Sequence, residues 1–395
     1  MTAGPRVVLV TRRFWPLIGG AERFMAELAA GLAERGHAVT LLTARLDPSW
    51  PERIRFRGFP VIRLPNPNVR FWGTLRYMQA LTTWLRGHAS EYDVVYTAML
   101  KHDAWAAIRA VSRTHPVILF APGSGPTGDC AWQRTALLGA HIRRICRRAD
   151  AVTAPSPQVF DELVAAGYPR DRLHLLPHGI VVRAKRTPGD RSRARDALGR
   201  LQPQLRLAES DVSAVYVGRL HPGKGLLELI EAWETVVRGR PNAYLWLVGE
   251  GPLEAELRRA IRARNLQHRV ALPGAFDDVR DFLAAADVFV FPSYQEGMPL
   301  ALLEAMEAAL PIVATDIPGN RLLIRPDRDG LLVPVRSPAA LSRAVLRLME
   351  EPELARSLAD SARARVEAEF GFEQVLDAHL DLFSRVLDRR RPFTA

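Results

Sequence analysis

Two glutamates in one stretch of the chain have a spacing that suggests ligand binding. Glu296 and Glu304 stand with seven residues between them in the segment ADVFVFPSYQEGMPLALLEAMEAALPIVATDIP. On a single helix they would lie about 12 Å apart at 1.5 Å per residue, too far to share a proton. Pro299 suits the first position of a helix, so Glu296 and Gly297 are placed in the loop before it. The two acids are therefore predicted to contact different parts of one elongated ligand.

A second candidate is the lysine in GRLHPGKG, which follows the apolar run Ala214–Val217. The spacing Gly218-x4-Gly223-Lys224 nearly satisfies a P-loop, but position 225 is Gly where a P-loop has the Ser or Thr that binds magnesium. A kinase or ATPase is therefore disfavoured. What remains is a glycine-rich turn between a strand and a helix that ends in a cation.

Glycines also follow two apolar runs in the first half of the chain. Gly19 and Gly20 precede a helical pattern, so backbone N–H groups there could face a ligand. The Gly-x-Gly-x-x-Gly fingerprint is absent, which disfavours an NAD dehydrogenase. Gly123 and Ser124 begin a second glycine-rich loop and are weaker candidates for contact with a phosphate or sugar.

The elements that position these residues alternate along the chain. Short apolar runs bounded by turn residues alternate with helical patterns, which predicts an α/β chain of doubly wound parallel sheets. Ligands of such sheets bind beyond the carboxyl ends of the strands, which is where these residues fall.

These motifs carry a resemblance to a known family. EGMPLALLE fits the Glu-x7-Glu signature of the retaining GT-B glycosyltransferases that use nucleotide sugars, usually numbered family 4 or group 1, and GRL…KG resembles a second family motif. The resemblance extends over nearly the whole chain. It implies a GT-B fold with two Rossmann-like domains facing across a cleft. The predicted limits are 1–183 for the acceptor-side domain and 184–365 for the donor-binding domain, with a helix in 366–395 crossing back to the first.

The resemblance also implies roles for particular residues. Glu296 would bind sugar hydroxyls, Glu304 the ribose hydroxyls, and Arg219 and Lys224 the donor diphosphate. Because cleavage of the glycosyl–phosphate bond leaves negative charge on the diphosphate, fixed cations would stabilise the transition state. The remaining predicted donor contacts are Gly19, Gly20, Gly218, Gly297, Met298, Pro299 and Leu300, with Pro273, Gly274 and Phe276 as weaker candidates for contact with the base. No metal and no cofactor are predicted.

The chain departs from the family in two places. Many relatives carry a histidine in the loop that here runs from Gly123 to Asp129, and His178 stands where an Asn is usual. The acceptor is therefore not predicted beyond a glycan or a lipid-linked molecule. In the resembling family the segment from Trp50 to Trp72 borders the acceptor site.

Composition bounds the remaining possibilities. The chain has 395 residues and a net charge of +11, and all of that excess lies in residues 1–183, which hold 24 basic and 13 acidic residues. Such an excess favours an anionic membrane surface or lipid-linked acceptor, or it is a solvated face. Arginines at the end of a basic helix predicted over Leu137–Arg148 contribute part of this excess. No aromatic-basic platform for nucleic acid is evident.

The location follows from the same composition. Neither a signal peptide nor an apolar run long enough to span a membrane is evident, so the protein is predicted to be cytoplasmic, with possible peripheral contact at the inner membrane face. Cys130 and Cys146 are predicted to be free thiols.

The predicted function is hexosyl transfer from a UDP- or GDP-sugar with retention. Two alternatives stay open, a GT-B sugar-nucleotide epimerase and a non-enzymatic protein that binds anionic surfaces. A GT-B phosphorylase is disfavoured, because it needs a lysine for its cofactor and the chain has only three lysines.

Overall fold

The chain divides into two compact units. The computed structural model describes residues 4–17, 19–69 and 72–390, which excludes Arg70 and Phe71 of the predicted acceptor-border segment. Unit 1 comprises the chain up to His178 together with the residues from Glu373 onward, and unit 2 comprises Gly179–Phe372. The boundaries between the units, after His178 and after Phe372, thus lie a few residues from the predicted ones, 183 and 365.

Unit 1 is built on an eight-stranded sheet. Its strands are β1 (Val7–Val10), β2 (Val39–Arg45), β3 (Arg53–Phe56), β4 (Phe59–Pro65), β5 (Val94–Ala98), β6 (Val117–Phe120), β7 (Ala151–Ala154) and β8 (Leu173–Leu175). Their order is β3-β4-β2-β1-β5-β6-β7-β8, and every pair is parallel except β3 with β4. β1, β5, β6 and β7 are buried at every position, as expected for strands covered on both faces.

The helices that precede unit 2 are α1 (Gly20–Glu34), α2 (Trp72–Gly87), α3 (His102–Val111), α4 (Asp129–Thr135), α5 (Gly139–Cys146) and α6 (Pro157–Ala165). The basic helix predicted over Leu137–Arg148 is α5, which is two residues shorter at each end. Ala136 is extended and ends α4, and α5 begins at Gly139. The chain folds back tightly there, since a Cβ on Gly139 would lie 2.3 Å from the Gln133 carbonyl oxygen. Leu137 and Leu138 therefore lie in the turn between the two helices.

Unit 2 is built on a six-stranded sheet in which all neighbouring strands are parallel. Its strands are β9 (Val212–Val217), β10 (Ala243–Val248), β11 (Val270–Gly274), β12 (Val288–Phe291), β13 (Ile312–Thr315) and β14 (Leu331–Val333). Their order is β11-β10-β9-β12-β13-β14, so the direction of winding reverses between β9 and β12.

The helices of unit 2 are α7 (Pro188–Leu201), α8 (Leu226–Gly239), α9 (Glu254–Ala263), α10 (Arg280–Ala285), α11 (Leu300–Glu307), α12 (Pro318–Arg321), α13 (Pro338–Glu350) and α14 (Pro352–Glu369). Together with the sheet they enclose a single apolar core. Trp233 of α8 and Trp246 of β10 are its largest fully buried side chains. The core holds the loops at the carboxyl ends of the strands on a rigid base.

The last helix, α15 (Phe372–Asp388), belongs to unit 1 from Glu373 onward. His379 and Phe383 are buried there, with ring centroids 5.6 and 5.7 Å from that of Tyr96 on β5. The Tyr96 hydroxyl lies 3.2 Å from His379 Nε2, at hydrogen-bond distance. The core of unit 1 is therefore completed by residues that follow unit 2 in the chain.

Two parallel-sheet α/β units confirm the predicted α/β class. Within the described ranges, no helix has both the length and the apolar character needed to cross a bilayer.

Candidate active site

The predicted donor residues of unit 2 lie on two loops that follow neighbouring strands. One loop follows β9 and the other follows β12, and these strands pair in parallel with Val288 opposite Ala214. The winding of the sheet reverses between these two strands, and both loops stand at its carboxyl edge. Small ligands of doubly wound sheets bind at this position.

The loop after β9 fixes Lys224 through backbone geometry. The turn Pro222–Lys224 is capped by His221, whose Nδ1 accepts a hydrogen bond of 3.3 Å from the Gly223 N–H. Gly225 follows with φ +64°, and a Cβ there would lie 2.1 Å from the Pro292 carbonyl oxygen. Only glycine allows both this conformation and this approach to the end of β12, so the Lys224 backbone is held against the second loop.

The loop after β12 is held in place by contacts with α12 and with the end of β13. A Cβ on Gly319 would lie 2.3 Å from the Glu296 carbonyl oxygen, so α12 packs directly against the Glu296 backbone. Asn320 Nδ2 donates a 2.8 Å hydrogen bond to the Thr315 carbonyl, and the Thr315 hydroxyl donates to the Ser293 carbonyl. These contacts fix the start of the loop and the position of Glu296.

The two loops meet in an ion pair. Lys224 Nζ lies 2.5 Å from Glu296 Oε1, and the two side chains are 20% and 13% exposed. The Lys224 ammonium also lies 5.8 Å from the Phe291 ring centroid. An ammonium carries three donors, so Lys224 keeps donors for a second anion beside Glu296. A half-buried pair of this kind can bind a phosphate and a hydroxyl at adjacent positions.

The other predicted residues of this site have different degrees of exposure. Arg219 is exposed, and its carbonyl accepts a 3.0 Å hydrogen bond from the buried Tyr216 hydroxyl. Burial, and then the Glu296 carboxylate, raise the pKa of Tyr216 well above its ordinary value, so Tyr216 stays neutral. Glu304 is half-buried on α11, about one helical turn from its start.

The start of α11 corrects one detail of the sequence interpretation. Pro299 is the N-cap, with extended backbone, and the helix begins at Leu300 rather than at Pro299. Glu296 and Gly297 lie in the preceding loop, as predicted. The positive end of the helix dipole is thus next to Met298 and Pro299, where it favours an anion.

The predicted base contacts lie at the neighbouring strand ends. The Gly274 carbonyl accepts a 2.8 Å hydrogen bond from the Gly249 N–H, and the Pro273 carbonyl accepts one of 3.0 Å from Gln202 Nε2. The Phe276 ring packs edge-on against Phe282 with centroids 4.9 Å apart. These residues therefore line the same sheet edge, with Phe276 partly engaged in core packing.

The remaining predicted residues belong to unit 1. The Gly19 N–H donates a 3.0 Å hydrogen bond to the Glu22 carboxylate at the start of α1. Gly20 is the first residue of that helix. Gly123 and Ser124 follow β6, and Ser124 is 5% exposed. As donor contacts, Gly19, Gly20, Gly123 and Ser124 stay predictions.

Unit 1 also brings together polar residues that sequence reasoning missed. Arg12 follows β1, and Asp103 lies at the start of α3 after β5, where the winding of this sheet reverses. Arg12 Nη1 lies 4.0 Å from Asp103 Oδ1. Burial raises the pKa of Asp103 to about 6, and the neighbouring Arg12 and Lys101 charges oppose this rise. Arg12 and Asp103 are close because β1 and β5 are neighbours in the sheet, so only the strand order could have predicted this pair.

Asp129, at the end of the loop that begins at Gly123, has a structural role. Asp129 is 4% exposed, and its carboxylate accepts a 3.1 Å hydrogen bond from the Leu100 N–H. It therefore braces the loops after β5 and β6.

Candidate metal ligands are few. Across the described ranges no group of three or more His, Cys, Asp or Glu side chains is arranged to hold a metal ion. The chain contains one Asp-x-Asp sequence, Asp327-Arg328-Asp329, which sequence reasoning missed. Its Asp329 side chain is 0% exposed and paired with Arg325 and Arg365, so this carboxylate is engaged in structural ion pairs. Both cysteines are buried free thiols, as predicted.

Comparison with known proteins identifies the family. Residues 211–351 match the model described as glycosyl transferases group 1, and residues 19–179 match the glycosyl transferase 4-like domain. The chain belongs to the group 1 glycosyltransferases. The matched ranges contain the loops after β9 and β12 and the Gly19–Gly20 loop.

Full-length relatives agree with this membership. This glycosyltransferase is 22% identical to N-acetyl-alpha-D-glucosaminyl L-malate synthase of Bacillus anthracis, over 94% of this chain and 96% of that one. It is 27% identical to a GDP-mannose-dependent alpha-(1-6)-phosphatidylinositol monomannoside mannosyltransferase of Mycobacterium tuberculosis, over 98% and 100%. The epimerase and the non-enzymatic alternatives are not favoured.

Solved structures confirm the GT-B fold of the glycosyltransferase. Sucrose-phosphate synthase from Thermosynechococcus elongatus superposes with a TM-score of 0.81 at 24% identity, covering 98% of this chain and 100% of that one. Anabaena HepE in complex with UDP-glucose superposes with a TM-score of 0.79 at 20% identity, covering 96% and 100%.

Proposed function

We propose that this glycosyltransferase moves a hexose-type sugar from a UDP- or GDP-sugar to a glycan or lipid-linked acceptor, with retention at the anomeric carbon and without a metal ion. The observation that carries the proposal is the Lys224–Glu296 ion pair, 2.5 Å long, at the carboxyl edge where the winding of unit 2 reverses. A cation beside a carboxylate suits a ligand that joins a phosphate to a polyhydroxylated ring.

In this proposal Glu296 accepts hydrogen bonds from hydroxyls of the transferred sugar. Glu304, one turn into α11, accepts from the ribose hydroxyls. The backbone from Gly297 to Leu300, at the positive end of α11, lies against the donor phosphates. The end of β11, which carries Pro273 and Gly274, borders the base.

The chemical step breaks the bond between the anomeric carbon and the diphosphate oxygen and forms a bond from that carbon to the acceptor oxygen. The acceptor proton passes to the departing phosphate, so charge and atoms balance. Negative charge grows on the diphosphate as the bond breaks, and Lys224 and Arg219 stabilise it most in the transition state. These two cations supply the charge that a divalent ion supplies in metal-dependent transferases.

The acceptor side of the proposal rests on charge and on relatives. The mycobacterial relative acts on phosphatidylinositol monomannoside, and an Escherichia coli relative, 32% identical over 42% of this chain, acts on a diphosphoundecaprenol-linked sugar. All of the net positive charge of this chain lies in its first 183 residues. We therefore propose lipid-linked acceptors at the inner face of an anionic membrane, contacted by unit 1.

The first test is binding. We expect UDP or GDP, or one of their sugar conjugates, to raise the melting temperature in the presence of a metal chelator, since a ligand that binds only the folded state must stabilise it. ADP and ADP-sugars serve as the comparison. A protein that no nucleotide stabilises would contradict the proposed donor site.

The second test is catalysis. Removing one positioned charge costs on the order of 10²–10³ in rate, so Lys224→Met and Glu296→Gln should each lower kcat by that factor. Lys185→Met is the matched control, because this lysine is 54% exposed and pairs with Asp360 on the surface of unit 2. Retained activity in either site variant would refute the assignment. Nuclear magnetic resonance of the product gives the anomeric configuration, and inversion would refute retention.

A further inference from the structure

One surface of unit 1 exposes leucines among unpaired arginines. Leu137 is 96% exposed and Leu138 is 53% exposed, and they form the turn between α4 and α5. The exposed large apolar side chains of a folded protein are ordinarily scattered singly. Two adjacent leucines at the tip of a turn form a small apolar wedge with nothing of unit 1 packed over it.

The same segment carries a dense positive charge. From residue 130 to residue 149 the sequence contains five arginines and no Asp or Glu. Arg134 precedes the leucines by about one helical turn, and Arg143 and Arg144 follow them by one to two turns on α5. We call Leu137, Leu138 and the four arginines Arg134, Arg143, Arg144 and Arg148 the wedge surface.

These arginines lack acidic partners. In the described part of the chain no ion pair joins Arg134, Arg143, Arg144 or Arg148 to a carboxylate, whereas Arg6, Arg35 and Arg57 elsewhere in unit 1 are each paired with one. α5 keeps its apolar face, with Ile142 and Ile145, in the core and turns Arg144 to solvent. The charge of the wedge surface is thus available to an external anion.

We propose that the wedge surface docks this enzyme on an anionic lipid bilayer, with Leu137 and Leu138 inserted among the headgroups and the four arginines on lipid phosphates. This inference deepens the proposed function, because it names the residues that hold the enzyme where lipid-linked acceptors lie. An apolar tip in a segment rich in arginine fits a lipid interface, which offers phosphates above an apolar layer. Nucleic acid offers phosphates without such a layer, and a second copy of this surface would be repelled by like charge.

The strength of membrane binding can be estimated from the contribution of each arginine and leucine. A basic side chain near an anionic leaflet contributes about fivefold to membrane partitioning, so four arginines contribute on the order of 10²–10³. Inserting the leucine pair contributes about tenfold or more. The binding should weaken steeply with added salt because of the charge component.

The experiment measures co-sedimentation of the purified full-length chain with vesicles, without donor. One set contains phosphatidylcholine with 40% phosphatidylglycerol, and the other contains phosphatidylcholine alone. We expect the wild type to bind the anionic vesicles at least 100-fold more tightly. Leu137→Ser with Leu138→Ser should lower this binding about tenfold, and Arg143→Glu with Arg144→Glu and Arg148→Glu should lower it by 100-fold or more.

Matched controls lie in unit 2. Leu201 is a 59% exposed leucine, so Leu201→Ser tests the loss of an exposed leucine as such. Arg259, Arg262 and Arg328 are exposed arginines, so their triple change to Glu reproduces the change in net charge away from the wedge surface. If the arginine control weakens binding as much as the wedge variant, net charge rather than this surface is responsible, and the proposal is wrong.

Other outcomes are equally decisive. Equal binding to both vesicle types, or unchanged binding by the leucine variant, would overturn the docking mode. A dimer seen by light scattering in the wild type and lost in the leucine variant would assign the surface to a second copy instead. The rise in melting temperature with nucleotide separates this inference from the proposed function. We expect the wedge variants to show the same rise as the wild type. A wild type that binds vesicles but no nucleotide would refute the proposed function and leave the docking surface standing.

Discussion

Gly319 offers a way to displace Glu296 without changing it. In Gly319→Ala the new Cβ would lie 2.3 Å from the Glu296 carbonyl oxygen, 2.8 Å from its carbonyl carbon and 3.0 Å from its Cβ. All three atoms belong to the Glu296 backbone or are its Cβ, so no flexible side-chain end can move aside. Since interiors are close-packed, the Glu296 loop must shift by about 1 Å.

Such a shift has a calculable consequence. A misplacement of about 1 Å in a positioning group can cost about 10²-fold in rate, equivalent to about 2.7 kcal/mol of transition-state stabilisation. The overpacking should also lower the free energy of unfolding by about 1–3 kcal/mol, which a domain of ordinary stability survives. We therefore expect a folded enzyme with kcat reduced about 100-fold.

The assay is the initial rate of nucleotide release with donor and acceptor, alongside the melting temperature. Gly87→Ala is the control, because no atom lies within 4 Å of a Cβ built on Gly87 at the end of α2. In the double variant with Glu296→Gln the two effects should not add, because Gly319 acts through Glu296. Full additivity, or a Gly319→Ala enzyme within threefold of wild-type rate, would refute the reasoning.

Three further predictions concern stability. Gly225→Ala should lower the free energy of unfolding by at least about 2 kcal/mol in denaturant titrations, because it combines φ +64° with a Cβ only 2.1 Å from the Pro292 carbonyl oxygen, and an unchanged midpoint would contradict this contact. Burial lowers the pKa of His178 to about 3 and of His379 to about 4, so below about pH 6.5 only the unfolded chain is protonated at these imidazoles. Thermal melts should therefore show stability falling by about 1.4 kcal/mol per pH unit for each imidazole between pH 6.5 and pH 4, with a smaller slope in His379→Gln. Asp329→Asn should lower the free energy of unfolding by about 3 kcal/mol, because it removes a fully buried carboxylate that pairs with Arg325 and Arg365 and leaves Arg365 only Glu369, and a loss below about 1 kcal/mol would show that the pairs are weak.

The sequence predicted the class of fold because its signals are local. Buried strands such as Val288–Phe291 are continuous apolar runs, and α1 shows Phe24, Met25, Leu28 and Leu32 at helical spacing, all of them buried. The glycine-rich turn before α8 and the loop before α11 were likewise evident from residue types alone. The family motifs then supplied the roles proposed for these residues.

The rest depends on strand order and on close contacts, which local patterns do not specify. Lys224 and Glu296 are 72 residues apart and meet because β9 and β12 are neighbours in the sheet. The contact of Gly319 with Glu296 and the pairing of Arg12 with Asp103 depend on the same kind of tertiary placement. The predicted basic helix begins at Gly139 rather than at Leu137, where the chain folds back so closely that a Cβ on Gly139 would lie 2.3 Å from the Gln133 carbonyl oxygen.

The return of the chain to unit 1 sets an order for folding during synthesis. Unit 2 is one uninterrupted segment, Gly179–Phe372, so all of its strands have left the ribosome before α15 is made. Unit 1 lacks His379 and Phe383 until then, and the pocket beside Tyr96 and Phe24 stays open to solvent. We therefore expect the nascent chain to close its second core first. The first core is completed only after release of α15, so the half of the chain that is translated first is the last to become resistant to proteases.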